Sequence, residues 1–98
     1  MEPGFSFSKA LEYLKSGMKV CRSGWNGKGM WIALQKGYPD GVKANKNSQE
    51  AYGIPEGTEI KVLPYLAMKT ADNAFVPWLA SQTDILAEDW MLTSRGLE

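Results

Sequence analysis

Apolar and polar positions repeat in two rhythms along this chain, and the rhythms mark out its elements. Over residues 7–15, Phe7, Ala10, Leu11 and Leu14 recur at helical spacing. Ser6 stands where a helix cap is needed, and Gly17 where the helix must stop. The pattern predicts a short amphipathic helix. Residues 18–22 then read as a brief strand, and residues 23–29 as a glycine-rich turn feeding a second strand over 30–35. In that strand Met30, Ile32 and Leu34 share one face, while Trp31, Ala33 and Gln35 share the other. Trp31 is thereby turned away from the main apolar face.

The longest strand candidate covers residues 60–69, with Ile60, Val62, Leu66 and Met68 on one face and Leu63, Tyr65 and Ala67 on the other. Apolar residues on both faces require cover on both sides; the helix supplies one, and a second subunit is an economical source of the other. Pro64 cannot donate to a ladder and marks an edge or a bulge. Ala71, Asp72, Asn73 and Ala74 have the turn chemistry for a hairpin into Phe75 and Val76. Ser81 and Asp84 have capping-box spacing before Ile85, Leu86 and Ala87, so a second short helix starts there and ends near Glu88 and Asp89. Residues 90–93 return as a last strand. The expected fold is α+β: a small, mostly antiparallel sheet with an N-terminal helix packed on it and a second short helix near the C-terminus.

Residues 1–98 read as a single domain with flexible ends at 1–5 and 94–98. Residues 36–59, rich in Gly, Pro, Asn and Lys, read as a long loop or lid, interrupted by one helical turn over 47–52 that Gly53 ends. A binding loop and a neutral surface excursion both fit that stretch.

Composition narrows the function. A domain of 98 residues buries roughly two-thirds of the surface of its unfolded chain, so self-association helps it. Eleven positive charges offset eleven negative ones, which argues against a DNA or RNA polymer as partner. The chain has no histidine, the commonest general base and metal ligand. Its one cysteine, Cys21, has no internal partner, and no apolar run is long enough to cross a bilayer. The first residues also lack the layout of a secretion signal. The expectation is an intracellular, cytoplasmic protein without a membrane association.

Asp84, Glu88 and Asp89 are the only clustered carboxylates, and no histidine can pair with Cys21 or a serine. The parts of an acid, base and nucleophile do not converge, so we expect a protein that is not an enzyme, with no cofactor and no metal. The acidic pair Glu88 and Asp89 opposes the macrodipole at a helix C-terminus; it is either a solvated pair or retained for another contact.

A binding site fits better. Trp25 and Trp31 flank Asn26, Lys28, Gly27 and Gly29, with Gly24 just before them, a stretch where flat stacking surfaces adjoin backbone that a ligand can approach closely. Most of the other aromatic residues belong to the core. Aromatic platforms beside amide and hydroxyl groups suit a purine, and Arg22 or Lys28 suits a phosphate. The ligand suggested is small, flat and anionic; a sugar stacked on tryptophan is the competing reading.

Five further stretches join residues 24–31 in a resemblance that spans residues 7–90: residues 7–17, 53–57, 64–72, 76–84 and 86–90. In order and spacing they resemble the second type of Thoeris anti-defence protein, a family of small phage and prophage proteins. The resemblance implies an α+β protomer that assembles into a homo-oligomer, a tetramer, and sequesters a cyclic nucleotide signal in the infected bacterial cell. The signal implied is a cyclic ADP-ribose isomer made by a TIR-domain enzyme, or a cyclic di- or trinucleotide. Carried over by position, Phe7, Trp25 and Trp31 are the expected ring contacts, and Asn26, Ser81, Gln82, Thr83 and Asp84 the polar ones. Arg22 is the expected phosphate partner, and Asp89 is expected to hold a ribose hydroxyl or a neighbouring subunit's arginine. The alternative is a phage structural or protein-interaction module that uses the same aromatic surface.

Overall fold

A computed structural model describes residues 4–25 and 29–97. Helix α1 (Phe7–Lys15) begins at Ser6, whose Oγ accepts from the Lys9 backbone N–H at 3.2 Å, and turns Ala10 and Leu14 wholly inward. Gly17, with φ +93°, ends the turn that follows.

Among the described residues the main sheet has five strands in the order β6-β5-β2-β1-β7. These are β1 (Lys19–Arg22), β2 (Trp31–Gln35), β5 (Tyr65–Lys69), β6 (Phe75–Pro77) and β7 (Trp90–Thr93), and every neighbouring pair is antiparallel. Cross-strand partners share a face. One face therefore carries Val20 opposite Ile32 and Leu92, then Ile32 opposite Met68. Helix α1 lies on this face, and Ala10, Leu14, Val20, Ile32 and Trp90 form the sealed core beneath it. Burying each of Leu14, Val20 and Ile32 contributes about 1.5–3 kcal/mol.

The other face carries Trp31 opposite Lys69, Lys69 opposite Phe75, and Lys19 opposite Thr93. The α+β architecture, with its mainly antiparallel sheet and two helices at the expected places, agrees with the sequence pattern. Helix α3 (Gln82–Leu86) is short, starts at Ser81 through a complete capping box with Asp84, and stops at Ala87 in extended backbone.

Two elements differ from the pattern read in the sequence. The stretch 60–69 is not one strand: β4 (Glu59–Val62) ends before Leu63 and Pro64, and β5 begins after them in a different sheet. Pro64 has no N–H to continue a ladder, so the chain changes sheets there. The stretch 36–59 is also more ordered than a loop. β3 (Tyr38–Lys43) pairs antiparallel with β4, and α2 (Lys46–Tyr52) fills the connection between them. A register shift between Tyr38 and Val42, with Gly41 at φ +109°, accommodates Pro39 within the two-stranded pair. The expected helical turn near 47–52 is this α2, closed by Gly53 at φ +65°. The molecule measures 52 × 26 × 24 Å along its principal axes, and the longest is twice either of the others.

Candidate functional site

The sequence candidates converge where β1 runs into the glycine-rich turn and meets α3. Arg22, the last residue of β1, donates from Nε to Asp89 Oδ1 and from Nη1 to Asp84 Oδ1, both at 2.8 Å. Asp89 Oδ2 accepts from the Gly24 backbone N–H at 2.8 Å, and Ser23 N–H donates to the Asp89 carbonyl at 3.1 Å. The turn is thus clamped to the segment that enters β7. A Cβ at Gly24 would stand 2.7 Å from Asp89 Oδ2, so a side chain there would push the carboxylate aside.

Asp84 is the hub. Its Oδ1 accepts from Arg22 and from the Trp25 indole Nε1–H at 3.3 Å; its Oδ2 accepts from the Ser81 N–H at 3.1 Å and the Ser81 hydroxyl at 2.8 Å. Its carbonyl accepts from the Trp90 indole at 2.9 Å. A carboxylate has about four lone-pair sites, and here each oxygen already takes two donors. Burial pushes the Asp84 carboxyl up, but Arg22, Ser81 and Trp25 outweigh it and hold the group below the usual carboxylate range. The Arg22 hydrogen bond does the same for Asp89 against a smaller burial penalty. The guanidinium in turn is held above its ordinary range by Asp89 and Asp84.

Aromatic rings surround this polar hub. Trp90 is fully buried at the centre, with Phe7 at 5.3 Å, Trp25 edge-on at 5.4 Å and Trp78 edge-on at 6.0 Å between ring centroids. Phe7 and Trp78 also meet at 6.1 Å. Such contacts contribute about 0.5–1.5 kcal/mol each beyond area burial.

Of the expected site residues, Phe7, Arg22, Trp25, Ser81, Asp84 and Asp89 are brought into this one constellation, Phe7 through the ring cluster. Ser81 caps α3, and its hydroxyl lies 2.9 Å from that of Thr83; Gln82 and Thr83 are exposed on the first turn. Asn26 lies outside the described residues. Trp31 lies elsewhere, on the opposite face of the sheet, where it is only 9 % exposed. Phe75 meets its ring edge-on at 5.9 Å, the Lys19 ammonium stands 4.7 Å from its centroid, and its indole N–H donates to the Gly96 carbonyl at 3.2 Å.

A pocket of about 430 Å³ opens between these two regions, lined by Cys21, Arg22, Ser23, Trp25, Gly29, Met30, Met91, Thr93 and Arg95. Its volume lies in the range of small-molecule sites. Arg22 and Trp25 are the expected residues that border it. Burial pushes the Cys21 thiol up, against the lowering effect of Arg95 and with that of Asp89, so the thiolate is disfavoured. Among the described residues no group of three His, Cys, Asp or Glu side chains is placed to hold a metal ion.

The sequence reading missed Trp90 and Lys69. Trp90 sits in the last strand, where its core position was legible but its bond to Asp84 was not. Lys69 is completely buried and donates from Nζ to the Gly29 carbonyl at 2.7 Å. Its place on the Trp31 face follows from strand alternation, but nothing in the sequence tells that an ammonium there is buried against the Gly29 carbonyl.

Two comparisons bear on this geometry. The chain is 43 % identical over 97 residues to the protein named Thoeris anti-defense 2 of Bacillus phage SP01, covering 96 % of this chain and 100 % of that one. The family profile described as the Thoeris anti-defense 2-like domain matches residues 5–93, which include every described residue of the Arg22–Asp84–Asp89 constellation, and the chain belongs to that family.

Proposed function

We propose that this chain is a non-catalytic phage anti-defence protein that binds and sequesters a cyclic nucleotide immune signal in the cytoplasm of the infected bacterial cell. The observation that carries the reading is full-length similarity to a phage protein whose name is Thoeris anti-defense 2. The ligand class is a cyclic ADP-ribose isomer, or a cyclic di- or trinucleotide. The 430 Å³ pocket beside Trp25 and Arg22 supports it. Trp25 offers a ring whose position Asp84 and Trp90 fix in advance, which lowers the ordering cost of binding. Arg22 spends Nε and Nη1 on its carboxylates, and its Nη2 engages neither, so phosphate recognition falls to that nitrogen.

A sponge works by mass action and needs no reacting group. Nanomolar affinity corresponds to about −12 kcal/mol; each stacked base contributes about 1–3 kcal/mol, and charge-assisted phosphate bonds add to it. A homo-oligomer, a tetramer in this reading, supplies the remaining walls, and the exposed Gln82 and Thr83 are available to a ligand shared between protomers.

Calorimetry with cyclic ADP-ribose isomers and cyclic dinucleotides tests the proposal, and absence of heat with all of them refutes it. Ligand recovered intact after heat-denaturing the complex distinguishes a sponge from a hydrolase. A second reading, a protein-interaction module, is favoured by Leu79, Leu86 and Ile85, exposed to 92 %, 76 % and 42 % around α3. Under that reading Trp25→Ala breaks assembly, whereas under the sponge reading it removes nucleotide binding and leaves the oligomer intact.

A further inference from the structure

The face of the sheet away from α1 carries two ammonium groups in one neighbourhood. Lys19 lies over the Trp31 ring, and Lys69 is the cross-strand partner of Trp31. Among the described residues neither forms an ion pair with a carboxylate. Asp72 is near enough to feel the charge of Lys69, but Lys69 itself is turned to the Gly29 carbonyl. This contrasts with Arg22, whose charge two aspartates answer directly.

What covers the neighbourhood is the chain's own end. Residues 94–97 follow β7 without regular secondary structure. The Lys19 ammonium donates to the Arg95 carbonyl, and the Trp31 indole N–H donates to the Gly96 carbonyl. Two adjacent carbonyl oxygens thus occupy one cation and one neutral donor on this face. Ser94 helps to wall the 460 Å³ hollow near Gly17 and Lys19, and Arg95 walls the 430 Å³ pocket beside Trp25. Both hollows share Thr93, from which the strap departs.

We propose that Lys19 and Trp31 form an oxyanion site, and that residues 94–97 are a strap occupying it until an anion displaces them. The chemistry is that of a phosphate or pyrophosphate: an ammonium and an N–H hold acceptor oxygens of two adjacent residues, and a charged acceptor makes stronger bonds there than a peptide carbonyl. The excess positive charge of Lys19 and Lys69 favours an anion over a neutral occupant. Ordering the strap also opposes its own closure, since few hydrogen bonds hold the backbone of several residues. The inference rests on the sponge reading only for the identity of the natural anion. In that reading the displaced strap uncovers the Trp31 ring.

The test titrates inorganic pyrophosphate into the full chain, into a chain ending at Ser94, and into Lys19→Met and Gly96→Asp variants, with the Trp31 indole N–H resonance as readout. Gly96→Asp meets open space and adds a negative charge to the strap next to the residue whose carbonyl holds Lys19, so it strengthens the strap. Far-ultraviolet dichroism checks that each chain is folded. The expected result is at least fivefold tighter binding by the shortened chain, weaker binding by Gly96→Asp, at least tenfold loss with Lys19→Met, and a shift of the Trp31 signal in the full chain. No binding by the shortened chain, equal affinity in the full and shortened chains, or indifference to Lys19→Met overturns the proposal. The two readings fail separately. Cyclic ADP-ribose bound by the full chain with the Trp31 signal unmoved leaves the sponge and removes the strap. Pyrophosphate bound as described, with no cyclic nucleotide bound, leaves the strap and removes the sponge.

Discussion

Arg22 Nη1 stands 2.8 Å from Asp84 Oδ1, and this contact ties the end of β1 to the first turn of α3 across 62 residues of sequence. Their side chains are only 18 % and 12 % exposed. Water therefore screens the pair far less than a surface ion pair, and loss of either charge leaves the other partly buried. Asp84→Asn keeps the shape, removes the charge and withdraws one acceptor. The expected cost is about 2–3 kcal/mol of stability, read as a lower urea midpoint with an unchanged slope. The double variant Arg22→Met, Asp84→Asn is expected to lose further stability, because Asp89 then keeps its charge without the guanidinium that answers it.

The same cluster sets the response to pH. Asp84 and Asp89 are held below their ordinary range in the folded chain. The unfolded chain therefore binds more protons as pH falls toward the ordinary carboxylate range, and stability falls with it. The contribution is fully present above about pH 4, the unfolded value, and is lost as pH drops through the lower folded values. With no histidine in the chain, stability is expected to stay nearly level from pH 8 to about 5. Denaturation midpoints measured from pH 8 down through the acid range below about pH 4 check both limbs, and the acid limb becomes shallower in Asp84→Asn.

Trp25 performs two separable tasks. Its indole N–H donates to Asp84, and its ring meets Trp90 edge-on. Trp25→Phe keeps a ring and loses the hydrogen bond, at an expected cost of about 1 kcal/mol in stability. Trp25→Ala loses both, and with them the stacking surface offered to the proposed ligand; affinity is expected to fall about 10- to 100-fold, matching about 1–3 kcal/mol per stacked base. Calorimetry on both variants separates ring from hydrogen bond: a loss in Trp25→Phe as large as in Trp25→Ala contradicts stacking.

How much of this was legible in the sequence depends on whether the deciding interaction is local. Ser6, Gly17, Gly53 and the Ser81–Asp84 box act within one turn of chain, and each sits where the pattern put it. Alternation likewise assigned Trp31 to the face away from α1. Whether that face is open depends on Gly96, 65 residues away, and no period in the sequence carries that information. Arg22 shows the same limit. A positive residue beside a glycine-rich turn suits a phosphate, yet folding brings Asp84 and Asp89 to it first. Glu88 and Asp89 looked misplaced at a helix C-terminus; α3 stops at Ala87, and Asp89 lies beyond it as a partner for Arg22 and Gly24.

The β3–β4 arm offers a test of how independent it is of the main sheet. Gly37 has φ +68°, a conformation that costs a non-glycine residue roughly 1–2 kcal/mol, and a Cβ there would stand 2.3 Å from the Val62 carbonyl oxygen. Backbone cannot yield as a flexible side chain would, so Gly37→Ala must separate Tyr38 from Val62, its partner at the base of the pair. β3 joins β2 through residues 36–37, but its ladder runs only to β4, whereas Val20, Ile32 and Trp90 pack beneath α1. The substitution is therefore expected to act on one part of the molecule. Amide hydrogens of β3 and β4 should exchange at least tenfold faster, while those of β1 and β2 keep their protection. Equal acceleration in both sheets would show instead that the arm and the core unfold as one cooperative unit.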